Sequence, residues 1–257
     1  MRCFTALILL SLPGPRADLD KPQDCDGEVV WTQLLVSKGG AAKLDAVDTL
    51  YVKEEMSYWQ GLAKRRYELH IVSILPDYLW SWMSTGRIGE LVSAVDYREK
   101  VHWHQGDGGK LYKGPVVSEK PIIRFQVLYL LQSKWMKPSI MGCQIQSDGR
   151  GSRETILGMT ANGFRFELFI KENDSLPHRI EFHDSLDALD RYDLTNYREV
   201  AGIQFPLRMM KTTVYQGRII SRFSVQVQYE VNPEIAQGFR NRAPAVDAGP
   251  SAWRPKR

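Results

Sequence analysis

Residues 203–231, IQFPLRMMKTTVYQGRIISRFSVQVQYEV, decide how the rest of the chain is read. In the second half Ile219, Ser221, Phe223, Val225, Val227, Tyr229 and Val231 fall on one side. Ile220, Arg222, Ser224, Gln226, Gln228 and Glu230 fall on the other. Strict alternation of this kind marks a strand with one apolar and one wet face. Ile203 to Tyr215 joins it through Gln216-Gly217, a short link with the glycine that tight hairpins favour. Upstream, Phe164, Phe166, Leu168 and Ile170 oppose Arg165, Glu167 and Lys171, directly after Asn162-Gly163, a pair that tolerates the positive φ of a two-residue turn. The whole stretch from Arg153 to Asn232 reads as successive hairpins, closed by Asn232-Pro233.

The pattern continues towards the N-terminus with less regularity. Strands are expected from Leu50 (Val52, Met56, Tyr58), over Arg65–Leu75 until Pro76, around Trp80 and Trp82 with a turn at Gly86–Gly89, at Val101–Trp103, and at Ile140–Gln146. Two short helices precede them. Asp26 is placed to cap the first, Gly39-Gly40 ends it, and Ala41 to Val47 form the second with Leu44 and Val47 on its apolar side. Between Ser118 and Trp135 the period becomes helical: Ile122, Ile123, Phe125, Val127, Leu128, Tyr129, Leu130, Leu131 and Trp135 surround almost the whole circumference, and Pro121 is tolerated in the first turn. A helix apolar on nearly every side needs burial on nearly every side. The mouth of a curved sheet would provide it.

Composition bounds the classes available. At 257 residues with 43% hydrophobic and 25% charged residues, the chain can build a sizeable core. The N-terminus has the order of an export signal: Arg2, an apolar run from Cys3 to Leu12, then Pro13-Gly14-Pro15, with cleavage expected after Ala17. That run is too short for a membrane span. The segment 238–257 holds five basic residues and one acid, so the basicity sits in a Pro-rich tail and is weak support for nucleic-acid binding. The domain layout read from the sequence is a signal at 1–17, one domain at 18–237, and the tail at 238–257. Loss of the signal leaves two cysteines, Cys25 and Cys143, which either pair in an oxidising compartment or lie apart as buried thiols.

No assembled catalytic constellation is visible. A Gly-x-Ser-x-Gly elbow is absent, and the glycine-rich Gln105–Gly109 loop opens no helix and is not followed by the Lys-Ser or Lys-Thr of a phosphate cradle. His102 and His104 share one strand face and are the most metal-like element, with His70 and His183 beside Glu68 and Glu181; sheet-surface histidines account for all of them. Glu54-Glu55 and the acids of Asp184–Asp193 are read as solvated. The expectation is a protein that is not an enzyme and uses no cofactor.

The stretches Lys38–Leu50, Asp174–Phe182 with its Leu-Pro-His-Arg turn, and Tyr197–Pro206 (Tyr-Arg-Glu-Val-Ala-Gly-Ile-Gln-Phe-Pro), in this strand order, resemble the periplasmic lipoprotein carrier superfamily, LolA- and LolB-like, with its outer-membrane lipoprotein-sorting relatives. The resemblance covers most of 26–232. It implies a mainly β fold with some α: a single curved antiparallel sheet, an incomplete barrel, with short helices over its concave face and an apolar cavity beneath that takes acyl chains. The expected lining is Tyr67, Leu69, Trp80, Trp82, Phe125, Tyr129, Phe166, Phe205 and Phe223. Expected partners are a hydrophobic small molecule, a lipid or a lipidated protein. The alternative is an envelope interaction module whose core is filled by its own side chains.

Overall fold

The computed structural model describes residues 22–60, 63–84, 90–105, 111–147, 152–172, 174–183 and 188–234. The signal at 1–17, the turn at Gly86–Gly89, most of the loop after Gln105, the acids before Ala188 and the tail at 238–257 lie outside them.

The described strands form one antiparallel sheet that does not close into a barrel. In chain order the elements are β1 (Gln23–Asp24), α1 (Gly27–Lys38), α2 (Ala41–Asp45), β2 (Thr49–Gln60), β3 (Ala63–Ile74), β4 (Tyr78–Ser84), β5 (Glu90–Asp96), β6 (Val101–Gln105), β7 (Leu111–Pro115), α3 (Lys120–Leu130), β8 (Ser139–Ser147), β9 (Arg153–Ala161), β10 (Phe164–Lys171), β11 (Arg179–His183), β12 (Ala188–Val200), β13 (Ile203–Tyr215) and β14 (Arg218–Val231). Across the sheet the order is β1, then β8 through β14 in sequence, then β2 through β7. Two meanders are therefore joined where β14 pairs with β2, Tyr229 opposite Val52 and Val227 opposite Glu54. Asn232 secures that seam: its Oδ1 accepts from the Asp48 and Thr49 amides, and its Nδ2 donates to the Ala46 carbonyl.

The turns follow the sequence chemistry. Asn162-Gly163 and Gln216-Gly217 both adopt positive φ (49° and 76°, 48° and 72°), the two-residue geometry whose twist matches the flanking strands. Alternation puts Leu157, Phe166, Phe182, Tyr192, Met209, Val225, Val52 and Leu69 on one inner face, where α1 and α3 cover them. In α1 the Asp26 carboxylate accepts from the Glu28 and Val29 amides, and Gly39 (φ 134°) passes so close to Gly202 that an added Cβ would lie 2.4 Å from its carbonyl oxygen.

Gln23 and Asp24 pair with Ile145 and Gln144, adding a short strand beside β8. Two expectations change. The mid-chain helix stops at Leu130 rather than Trp135. There Ser133 builds its own turn, its hydroxyl donating to Gln126 Oε1 (2.7 Å) and accepting from the Trp135 and Met136 amides, and Trp135 ends exposed. The outer face is not uniformly polar: Val72, Ile74, Trp80, Ala94 and Trp103 form a second apolar cluster there.

Cys25 and Cys143 are joined by a disulfide across 118 residues of sequence. Closing so long a loop restricts the unfolded chain, by the entropic account stabilising the fold by about 2–4 kcal/mol. The Cys25→Ala, Cys143→Ala double variant is expected to unfold at correspondingly lower denaturant concentration, and reductant should lower the parent to meet it. A parent insensitive to reductant would show that the bond contributes nothing.

Lys38, in the last turn of α1, is 2% exposed and lies 4.9 Å from the Phe205 ring centroid. Burial lowers its ammonium to about 7. The unfolded chain holds this proton up to about pH 10.5 and the folded chain releases it near 7, so stability should rise with pH across that window. Lys38→Met is expected to be more stable than the parent at pH 7, with the gap closing by pH 10; parallel pH profiles would overturn the assignment.

Candidate functional site

On α3 the spacing of Pro121, Arg124, Phe125, Leu128 and Tyr129 places these side chains on one stripe facing the sheet. Opposite them stand Glu54 and Met56 of β2, Leu69 and Ile71 of β3, Leu79 and Ser81 of β4, Tyr192 of β12, Met209 and Lys211 of β13, and Val225 of β14. All occupy inner-face register positions. Between helix and sheet they line a half-open cavity of about 530 Å³, well within the size of small-molecule sites. The helix covers the sheet without filling it.

The lining is apolar towards β3 and β4 and charged towards β12 and β13. Arg124 of α3 donates to Asp190 Oδ2 at 2.5 Å, and Thr213 donates to Asp190 Oδ1 at 2.6 Å, so this buried carboxylate is engaged on both oxygens. Lys211 stands 5.6 Å from the Tyr192 ring centroid. Burial depresses its ammonium, but Tyr192 and Asp190 outweigh that and hold it above the usual lysine range. On the other side of the seam, the Tyr129 hydroxyl donates to Glu54 Oε1. Burial pushes the Glu54 carboxyl up, and the bond from Tyr129 and the charge of Lys211 only partly oppose it. Tyr129 meets Phe125 and Tyr229 edge-on, and Tyr229 donates to the Pro206 carbonyl at 2.5 Å. The hydroxyls of Tyr129 and Tyr229 are thereby both satisfied.

Among the residues named from the sequence, Leu69, Phe125 and Tyr129 stand along this space. Tyr67 and Phe223 lie further along the same face, both against Tyr58, whose hydroxyl is 2.5 Å from that of Tyr67. Phe166 and Phe205 are fully buried, packed on Phe182 and Tyr229. Trp80 and Trp82 are a correction. They pair with Val72 and His70 on the outer face, where Trp82 stacks on the His70 imidazole at 4.9 Å, because that stretch of sheet is apolar on both sides and Leu79 and Ser81 take the inward positions.

His102 and His104 share a face with Ser93, whose hydroxyl is 3.0 Å from His102 Nε2; His104 is exposed. Burial, with His104 nearby, lowers the His102 imidazolium. Among the described residues the group that could hold a metal is instead Glu167, Glu181 and His183. There the Arg191 guanidinium already sits 2.7 Å from Glu181, so the local charge is answered by protein. Glu54 and Asp190, read from the sequence as solvated, are strand residues and buried. Counting alternate residues back from Gln216-Gly217 would have found Lys211, which shares its side with Met209 and Phe205.

No family model matches this chain, and no curated protein does. Among solved structures, it is similar to a LolA superfamily protein from Nitrosomonas europaea (14% identity, 74% of this chain and 89% of that one, TM-score 0.49). It is also similar to an outer membrane lipoprotein-sorting protein domain from Vibrio parahaemolyticus (10% identity, 81% and 94%, TM-score 0.47) and to a DUF1329 family protein from Desulfovibrio piger (11% identity, 80% and 93%, TM-score 0.40).

A carboxyl that keeps its proton on folding, where the unfolded chain has lost it, subtracts stability as pH rises past the ordinary glutamate range. Glu54→Gln keeps an acceptor for Tyr129 and removes that penalty. Its melting temperature is expected to exceed the parent's at pH 7 and to approach it towards pH 4. A constant difference would mean that Glu54 is ionised in the folded protein.

Proposed function

We propose that this protein is an exported, non-enzymatic carrier or sensor that binds a hydrophobic guest, a lipid, acyl chain or lipidated polypeptide, between α3 and the inner face of the sheet. The observation that carries this reading is the cavity of about 530 Å³ whose wall includes Met56, Leu69, Ile71, Leu79, Phe125 and Leu128. Every CH₂ moved from water into this wall contributes about 0.8 kcal/mol, so a chain of ten carbons would gain several kcal/mol without any directional bond. The Cys25–Cys143 disulfide supports the export reading, since such bonds persist in oxidising compartments. On this view residues 18–237 act as one half-barrel unit behind a signal at 1–17 and ahead of the basic tail at 238–257. The arrangement of Arg124, Asp190, Lys211 and Glu54 presents no nucleophile with an adjacent base.

The test is uptake of an uncharged fluorescent probe, N-phenyl-1-naphthylamine, by delipidated protein, together with mass spectrometry of solvent extracts from freshly purified material. Saturable fluorescence enhancement and a reproducible co-purified lipid are expected. Leu69→Trp and, separately, Ile71→Trp fill the wall and should weaken uptake at least about tenfold, the loss expected when two or more methylene contacts disappear, while the circular dichroism spectrum stays unchanged. Absence of uptake by the parent, or equal uptake by both folded variants, would overturn the reading.

A further inference from the structure

At the end of the sheet where β2 turns into β3 and β13 into β14, three large apolar side chains stand in solvent. Trp59 is 70% exposed, Ile219 55% and Ile220 64%. The register brings them together. β14 pairs with β2 as far as Ser224 opposite Ser57, and two residues beyond that pair, towards the turns, lie Arg222 and Trp59. Trp59 is itself opposite Lys64 of β3, and Ser57 is opposite Arg66. By the alternation of the strands, Trp59, Lys64, Arg66 and Arg222 share the outer face. Further along β14 a register shift leaves Ile220 between the pairs Thr213–Ser221 and Val214–Ile219, and both isoleucines emerge at the border of this patch.

Lys64, Arg66 and Arg222 are exposed, and among the described residues none of the three has a carboxylate within ion-pair distance. The acids next along β2 and β3 on that face, Glu55 and Glu68, are held by Lys53 at 3.4 and 3.1 Å. Apolar area is thus left wet beside cations with no partner. Lysine is depleted from the cores of protein interfaces. A tryptophan flanked by Lys and Arg instead matches the headgroup layer of a bilayer, where the ring sits at the interface and the cations meet anionic lipid.

We propose that this end of the sheet docks on an anionic lipid bilayer, with Trp59, Ile219 and Ile220 entering the headgroup layer and Lys64, Arg66 and Arg222 meeting the phosphates. The same three strands line the cavity further along, but docking does not depend on what that cavity holds.

Sedimentation of the full chain with vesicles tests this, using phosphatidylcholine alone and an equal mixture of phosphatidylcholine and phosphatidylglycerol. Binding to the mixed vesicles is expected to exceed binding to the neutral ones at least about tenfold, since each basic group near such a surface contributes about fivefold. It should fall as salt is added. The triple variant Lys64→Gln, Arg66→Gln, Arg222→Gln is expected to lower binding to the mixed vesicles at least about tenfold, and the pair Ile219→Ser, Ile220→Ser at least about threefold. All five positions are exposed, so the circular dichroism spectrum should stay that of the parent. Brominated phosphatidylcholine in the mixed vesicles should quench the parent's tryptophan fluorescence, and Trp59→Phe should remove most of that quenching. This last readout separates the surface from the basic segment 238–257, which is the same in every variant. Absence of vesicle binding, equal binding to both compositions, or variants that bind and quench as the parent does would overturn the proposal. Retention on immobilised polyglutamate without vesicle binding would equally overturn it, and would make the partner an acidic polypeptide.

Discussion

A single antiparallel sheet with a period of two has one apolar face, and that face has to be kept from water. Here the sheet is long, and the cover is short: α1, α2 and the eleven residues of α3. The rest of the architecture answers this mismatch. Where α1 lies, the fit is close enough that Gly39 touches the Gly202 backbone and Lys38 is sealed over Phe205. Where α3 lies, the helix reaches the sheet through Tyr129, Phe125 and Arg124 but leaves room beside them. The cavity is thus a property of unequal coverage rather than of any one residue.

The polar groups under α3 serve the same constraint. A short helix laid on an apolar face has little to fix its position, since burial of hydrocarbon is non-directional. Two directional bonds supply that: Tyr129 to Glu54 on β2, and Arg124 to Asp190 on β12. They hold the helix to strands on both sides of the β14–β2 seam. Buried charge of this kind is dear in solvation, and its net worth to stability is small. Its effect here is to fix where the helix sits, and so how wide the cavity is.

Much of the fold was legible because the turns and the alternation agree. Asn162-Gly163, Gln216-Gly217 and Asn232-Pro233 lie where the sheet needs positive φ or an end, and the strands between them keep parity but for one irregularity at Thr213–Val214. The helix was legible as buried because no polar stripe runs along it. What the sequence concealed were sides and partners. Trp80 and Trp82 are the bulkiest residues of their strand, and size alone points them inward, but β3 to β6 carry apolar residues on both faces and Leu79 and Ser81 hold the inner positions. Glu54 and Asp190 looked solvated because a carboxylate is read by type, while their burial depends on Tyr129 and Arg124, more than sixty residues away. A short polar strand such as Gln23–Asp24 has no pattern to betray it; only its neighbour β8 makes it a strand.

That neighbour gives the disulfide a second meaning. An open sheet ends in a row of unpaired backbone donors and acceptors, a template on which another chain can add by edge-to-edge aggregation or by exchange of a strand. Among the described residues, the β8 margin is covered by the two of Gln23–Asp24. Cys25, immediately after them, is bonded to Cys143 of the strand they cover, and its amide also donates to the Cys143 carbonyl. The bond therefore works as a rivet along the hem of the sheet, holding a guard strand over a border that would otherwise recruit its own kind.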